Sequence, residues 1–430
     1  MTRTLIRDLS PQMDHSVYLK GWIHSIKKFK TFAFVVLRDR TGIVQMIVNG
    51  ETVIESLRLE ASVSVRGTLQ VNAKAPGGLE VLVSRMDVLG EARYDLLPFS
   101  INGREIEASL EKQLDHRTVS LRRMDRRAIF KVQQEITQAF RDFLIREGFT
   151  EIHTPKIIGI ETEGGSDVFV LDYFGTRTFM AQSPQFYKQM MVGAGFERVF
   201  EIGAAYRAEP HSTWRHLNEY ISLDLEMGFI DSEEDIMDLE ERLIKAIIGH
   251  LETAAIEALE ILGTALPKVD RIPRIPLTEA QEILLKTFGK KSPVGNIDAE
   301  GEKLFAGYVK ETYDSDFVFL TKYPASKRPL YTMPDEHLEG MTRSFDLIFK
   351  GLEITTGGQR IHDYDQLYQN IQKAGGKPED FDFYLESFKY GMPPHGGLAI
   401  GLERITMMFL GLDNIRQATL VPRDLNRLKP

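Results

Sequence analysis

The stretch Met392–Gly411, MPPHGGLAIGLERITMMFLG, decides how the chain folds. Its glycines read as a strand against which another backbone or a ligand lies closely, since no Cβ stands in the way. The strand runs directly into a helix that carries Arg404 in its first turn. Taken alone, Arg404 is an ordinary helix-terminus arginine. With the glycine-rich strand beside it, a nucleotide lying over that strand would have Arg404 stacked on it or paired with it. There is no Walker A sequence, and no glycine fingerprint opens a βαβ unit. If ATP binds this chain, it binds on an antiparallel sheet.

Two upstream stretches supply neighbours for that strand. FEIGAAYRAEPHSTWRHLNEYISLDLEMGF (Phe200–Phe229) reads as a hairpin carrying Arg207, Glu209, Arg215, His216, Asp224 and Glu226. Charges alternating with apolar residues on a strand need a partner or a ligand where they face inward, because a lone buried charge is costly. SFDLIFKGLEITTGGQR (Ser344–Arg360) repeats the pattern with Asp346, Glu353 and Arg360, next to hydroxyls at Thr355 and Thr356. Carboxylates and hydroxyls on adjacent strands form an all-oxygen site suited to Mg2+.

Further outward, residues 17–89 read as a small β domain. VYLKGWIHSI, FAFVVLRD and GIVQMIV are strands, ETVIESLRLEA is a short helix, and SVSVRGTLQV and GLEVLVSRMDVL are two more strands. That order predicts an OB-fold barrel over 1–90. Periodicity fades between Gly90 and Arg123, so 91–123 reads as a linker or hinge. From Met124 a helix follows, with Ile129, Val132, Ile136, Phe140, Phe143 and Leu144 on one face and Gly148 as its stop. Ser232 and Asp235 form a capping box ahead of another helix, through Leu251, and Gly263 closes that segment. Elsewhere in 150–423, strand-like pieces alternate with loops rich in glycine and proline, which predicts an antiparallel α+β domain over 124–430.

Composition sets the outer bounds. A chain of 430 residues, 43% hydrophobic and 27% charged, reads as globular. No cysteine means no disulfide framework, no thiolate zinc site and no cysteine nucleophile. Glu403 and Arg404 interrupt the longest apolar stretch near the carboxy terminus, and the amino terminus has no apolar signal, so the expectation is a cytoplasmic protein away from membranes. A net charge of −9 argues against nucleic-acid binding by bulk charge, though not against a local basic face.

These segments together resemble the three signature motifs of class II aminoacyl-tRNA synthetases. The first is the long helix leading to EIHTPKII with Pro155; the second is Tyr206-Arg207-Ala208-Glu209; the third is the glycine-rich strand ending Gly401-Leu402-Glu403-Arg404. Ala399 departs from the glycine often found in the third motif. An amino-terminal OB domain is similar to the aspartate, asparagine and lysine subgroup, and the resemblance covers essentially the whole chain. AQSPQFYKQ and the GGQR ending at Arg360 look like the aspartyl enzymes, and the short interval between the second and third motifs looks like their compact archaeal type.

The resemblance implies a two-step reaction: ATP-dependent activation of L-aspartate to aspartyl-adenylate, then transfer to tRNA-Asp. For ATP it implies Arg207 at the α-phosphate, Glu209 at the adenine amino group, Tyr220 and Arg404 on its two faces, Arg215 and Glu353 in the same site and His216 at the terminal phosphate. Arg207 and Arg404 are the implied catalytic pair. Mg2+ would sit on Asp346, Glu353 and Thr356. Aspartate would meet Glu163, Gln185, Lys188, Asp224, Thr356, Gly357 and Arg360, where the Lys188 and Arg360 cations suit a side-chain carboxylate better than a carboxamide.

For the anticodon, the resemblance implies His24, Phe34, Gln45, Pro76 and Glu80, with Lys27, Lys28 and Lys30 near phosphates. The plain readings are a core aromatic for Phe34 and a turn former for Pro76. His24 and Pro76 stand where strict members carry tryptophan and lysine, which implies a relaxed enzyme that charges both tRNA-Asp and tRNA-Asn. The second product would feed a tRNA-dependent amidotransferase. The first motif implies a homodimer. The alternatives are an asparaginyl-tRNA synthetase, a paralogous asparagine synthetase acting through aspartyl-adenylate, and a non-catalytic tRNA-binding protein.

Overall fold

A computed structural model describes residues 2–11, 16–93, 97–103, 105–161 and 168–429. The chain divides into two compact units, Met1–Met124 and Asp125–Pro430.

In the first unit, β1 (Ser16–Lys28), β2 (Phe32–Arg38), β3 (Ile43–Asn49), β4 (Ser62–Val71) and β5 (Leu79–Gly90) form a closed barrel in the order β1-β2-β3-β5-β4. Alternation explains it. Val17, Leu19, Ala33, Val35, Leu37, Val44, Met46, Val48, Val63, Val65 and Val81 point inward as one core, and their neighbours point out. Helix α1 (Glu51–Ser56) leads from β3 towards β4. The segment expected as a linker carries two short helices, α2 (Leu110–Asp115) and α3 (Arg117–Ser120), and groups with the barrel unit.

The second unit follows from α4 (Met124–Arg146), whose Ile129, Val132, Ile136 and Phe140 are fully buried along one stripe. Its strands are β6 (Thr150–Glu151), β7 (Ile157–Ile158), β8 (Val170–Tyr173), β9 (Thr176–Met180), β10 (Arg198–Tyr206), β11 (Glu219–Gly228), β12 (Arg274–Pro276), β13 (Phe317–Thr321), β14 (Ser344–Phe349), β15 (Leu352–Arg360) and β16 (His395–Gly401). Eight of them form one sheet, ordered β12-β13-β14-β15-β16-β11-β10-β6. Every pairing is antiparallel except the two edge pairs, β12 with β13 and β10 with β6. The remaining three form a small sheet, β7-β9-β8.

Further helices are α5 (Gln185–Met191), α6 (Glu233–Ala254), α7 (Ile256–Leu262), α8 (Leu277–Phe288), α9 (Ala299–Tyr313), α10 (Tyr364–Lys373), α11 (Asp382–Leu385) and α12 (Leu402–Leu410). The capping box of α6 is formed, with Ser232 accepting from the Glu234 backbone and Asp235 accepting from the Ser232 backbone. Gly263 ends α7 in the left-handed conformation. Apolar side chains of α4, α6 and α12 share one core with Leu223, Leu225, Leu398 and Ile400 of the sheet. The period of two therefore turns Ser222, Asp224 and Glu226 on β11, Thr356 and Arg360 on β15, and Gly397 and Ala399 on β16 to the opposite face.

Candidate functional site

That opposite face carries a cavity of about 150 Å3 lined by Arg207, Glu209, Arg215, His216, Tyr220, Glu353, Thr356 and Arg404. All seven residues expected at ATP are in it. Tyr220 leaves β11 beside Arg207, whose guanidinium lies 5.8 Å from the Tyr220 ring. Arg207, Glu209, Arg215 and His216 sit on the loop between β10 and β11, so the hairpin is as expected but β10 ends at Tyr206, before the charged run. Arg404 donates to the Glu353 carbonyl at 2.8 Å and lies 3.4 Å from its carboxylate. Behind it, Glu403 accepts the Ile221 backbone N–H, and burial pushes its carboxyl up to about 7. Burial also holds His216 below the ordinary imidazole range, against the pull of Glu209.

For a divalent cation, the site offers one carboxylate and one hydroxyl on β15. Glu353 and Thr356 line the cavity, with the Thr356 hydroxyl 3.3 Å from the carboxylate. Asp346 stands opposite Thr356 in the sheet register but is buried and lies 2.8 Å from Arg328. Burial raises its carboxyl above the ordinary range against the Arg328 charge. Among the described residues no group of three or more His, Cys, Asp or Glu side chains is placed to hold a metal ion.

A second cavity of about 210 Å3 adjoins the first, and Arg207, Tyr220, Ser222, Thr356 and Ala399 line both. It adds Gln185, Lys188, Asp224, Arg328, Tyr331, Gly357 and Arg360. Lys188 and Arg360, both expected at a substrate side-chain carboxylate, are joined here by Glu226, which is wholly buried. Arg360 Nε donates to Glu226 Oε1 at 2.9 Å, and Lys188 Nζ lies 3.4 Å from Oε2. Lys188 also donates to Asp224 Oδ1 at 2.9 Å and to the Leu398 carbonyl at 3.3 Å. Two buried cations without counter-charges would cost several kcal/mol each, which explains the extra carboxylate. Burial opposes ionisation of Glu226, but Arg360 and Lys188 outweigh it and hold the carboxyl below its ordinary range. Asp224 Oδ2 has no hydrogen-bond partner among the described residues, so it offers the cavity an acceptor.

A buried amide chain backs this wall. His395 Nδ1 donates to the Pro393 carbonyl, leaving Nε2 to accept from Gln189, whose oxygen accepts from Tyr384 and Gln185. Burial holds His395 down to about 4, so the ring stays neutral. Glu163 lies outside the described residues.

On the barrel, register gathers the other candidates. Val36 faces Gln45, and Gln45 faces Glu80; in the next row Phe34 faces Ile47, which faces Leu82. Phe34 points outward and meets Phe32 and Phe29 edge to face, so it is not a core residue. Glu80 accepts from Gln45 and Gln70, and these amides, together with Asn72, outweigh burial to keep it ionised below its ordinary range. His24 stands at the bulge between Ile23 and Ser25, next to Val36. Pro76 opens an exposed turn whose Gly77 has φ 73°, so it does shape a turn.

Sequence reasoning missed Arg328, Tyr331 and Glu302 as parts of the site. Glu226 carried a signal, since it lies two residues past Asp224 on the same face of one strand.

A glycine-floored cleft for a nucleotide on an antiparallel sheet, joined to a barrel with an outward aromatic row, defines the class. Residues 109–425 match the family described as tRNA synthetases class II (D, K and N), and residues 17–89 match the OB-fold nucleic acid binding domain. The chain belongs to this class II family and is an aminoacyl-tRNA synthetase. It is 47% identical over 438 residues to a Deinococcus radiodurans protein named aspartate–tRNA(Asp/Asn) ligase, covering 100% of this chain and 99% of that one. A Thermus thermophilus protein of the same name is 47% identical, with 100% of each chain covered. Asparaginyl-tRNA synthetase from Pyrococcus horikoshii with asparaginyl-adenylate superposes with a TM-score of 0.91 at 31% identity, covering 100% of both chains.

Proposed function

We propose that the chain is an aspartate–tRNA ligase that charges both tRNA-Asp and tRNA-Asn. The shared fold leaves aspartate and asparagine open; the amino-acid cavity supports the choice. Lys188, Arg207, Arg328 and Arg360 line it, with Asp224 and Glu226 on Lys188, Glu226 on Arg360 and Asp346 on Arg328. These cations only donate, so a side-chain carboxylate, which only accepts, meets them with both oxygens, while Asp224 Oδ2 suits the α-ammonium. A carboxamide side chain would turn one of its own donors towards them.

In the first step the α-carboxylate of aspartate attacks the α-phosphorus in line, forming the carboxyl–phosphate anhydride and releasing pyrophosphate. Arg207, lining both cavities, stands where charge develops, and the two cavities hold the reactants side by side, so catalysis is by position and electrostatics. Mg2+, held by Glu353 and Thr356 with Asp346 behind, would neutralise phosphate charge. Tyr220 and Arg404 flank the adenine, and Glu209 receives its amino group. In the second step a terminal ribose hydroxyl of tRNA takes the aspartyl group. Cytoplasmic location, a homodimer and a product that feeds an amidotransferase belong to the same reading.

The test is pyrophosphate exchange with aspartate and asparagine side by side. Aspartate supports exchange without tRNA, and comparable exchange with asparagine would sink the assignment. Arg360→Ala should lower aspartate-dependent exchange by about 100-fold or more, since it removes a buried charge-assisted contact and strands Glu226.

A further inference from the structure

His24 is the one imidazole on the outer barrel face beside Val36 and Gln45 among the described residues, and its chemistry is set from behind. Its Nδ1 lies 2.8 Å from Arg38 Nη1. A guanidinium only donates and never loses its proton at protein pH. Nδ1 must therefore accept, the ring must be neutral, and the single ring proton must sit on Nε2.

Arg38 has no latitude to leave. It is 2% exposed, and its two terminal nitrogens donate to Glu60 Oε1 and Oε2 at 3.0 and 2.7 Å. Glu60 is 3% exposed and accepts a further bond from Arg122 Nη1 at 2.7 Å. The Glu60 backbone N–H donates to the Ile23 carbonyl and the Ile23 N–H to the Ala61 carbonyl, so the clamp is tied to the residue before His24. Burial first, and then the Arg38 charge, keep the His24 ring below its ordinary titration range.

We propose that Arg38 and Glu60 are positioning residues that fix His24 as an Nε2–H donor, and that this fixed tautomer is what admits either pyrimidine at the third anticodon base. The proposal rests on the reading that the chain charges both tRNAs, whose anticodons share their first two bases and differ at the third, cytosine in tRNA-Asp and uracil in tRNA-Asn, and that His24 faces that base. Cytosine and uracil share a 2-oxo acceptor; they differ at N3, bare in cytosine and protonated in uracil, and at C4, where cytosine has an amino donor and uracil an oxo acceptor. Preferring cytosine through this ring would require accepting from the 4-amino group or donating to N3. Nδ1 is taken by Arg38 and Nε2 bears the proton, so no acceptor faces outward. A donor at the 2-oxo group is indifferent, a donor at C4 favours uracil, and a donor at N3 would favour cytosine. The proposal therefore places Nε2–H at the 2-oxo or the C4 position, neither of which excludes tRNA-Asn.

The first measurement is nitrogen NMR of the full chain labelled with 15N-histidine, with His24 assigned by its loss in His24→Gln. A protonated Nε2 with an unprotonated Nδ1 at neutral pH is expected; the opposite tautomer or an imidazolium overturns the clamp. The second is charging of tRNA-Asp and tRNA-Asn transcripts by Arg38→Gln, with aspartate-dependent pyrophosphate exchange as the control. A glutamine can donate or accept, which releases the tautomer. The kcat/KM ratio of tRNA-Asp to tRNA-Asn should rise about fivefold or more with exchange unchanged. An unchanged ratio in a folded variant overturns the proposal, and if that variant does not fold, the NMR result on the native chain decides. Native enzyme that charges tRNA-Asp alone would remove the relaxed reading while leaving the tautomer measurement to judge the clamp by itself.

Discussion

An alanine at position 397 would place its Cβ 2.2 Å from Glu226 Oε2 and 2.2 Å from the Leu225 carbonyl oxygen. Glycine at this point of β16 therefore leaves room for the carboxylate that joins Lys188 to Arg360. Gly397→Ala should lower aspartate-dependent exchange by about 100-fold, more than its effect on ATP affinity, because the displaced Glu226 disturbs the amino-acid cavity first. Steady-state kinetics in both substrates checks this. Glu240 on α6 shows the cost of a buried acid with no cation beside it. Burial pushes its carboxyl from the ordinary 4.5 up to about 8, the Thr355 hydroxyl pulling it down and Asp346 pushing it further. The folded chain keeps this proton where the unfolded chain has lost it, so stability falls as pH rises from 4.5 to about 8. The slope approaches about 1.4 kcal/mol per pH unit. Glu240→Gln should flatten that part of the profile, as urea unfolding at a series of pH values would show.

At the scale of elements, hydrophobic spacing marked α4 and the capping box marked α6, but α8 and α9 went unread. The buried face of α9 amounts to Gly301, Phe305 and Val309, too sparse a stripe to signal a helix among its many charges. That helix nonetheless reaches the ATP cavity. Glu302 accepts from Arg215 Nη1 at 3.1 Å, and burial raises its carboxyl to about 7 despite Arg215. Glu302→Ala should leave Arg215 untethered and raise the KM for ATP about tenfold with a smaller change in kcat, whereas Glu302→Gln, which can still accept, should lie between. The β11 and β15 carboxylates, by contrast, were legible, because a period of two assigns every second residue to one face. Which partner each would take was not: Glu226 draws its partners from α5 and β15, and sequence spacing carries no record of that meeting.

For the whole molecule, the α+β class was legible from strands that follow one another without helices between them. The barrel was legible in all five strands. The segment 91–123 was not, because α2 and α3 are too short for periodicity to show. No helix among the described residues is long and apolar enough to cross a membrane. Sedimentation at micromolar concentration should give the mass of two chains, twice 49.0 kDa, and a single-chain mass would count against the homodimer.

The partition between the two cavities has a pharmacological consequence. Arg207, Tyr220, Ser222, Thr356 and Ala399 form one wall shared by both. A stable isostere of the mixed anhydride, carrying an aspartyl group and an adenosine on one scaffold, would engage both halves for a single loss of translational freedom. Its affinity should exceed that of either fragment by about 100-fold or more. Selectivity over asparagine-type enzymes of the same fold would then lie in the aspartyl arm, at Arg360 and Lys188, and potency in the adenosine arm common to them all.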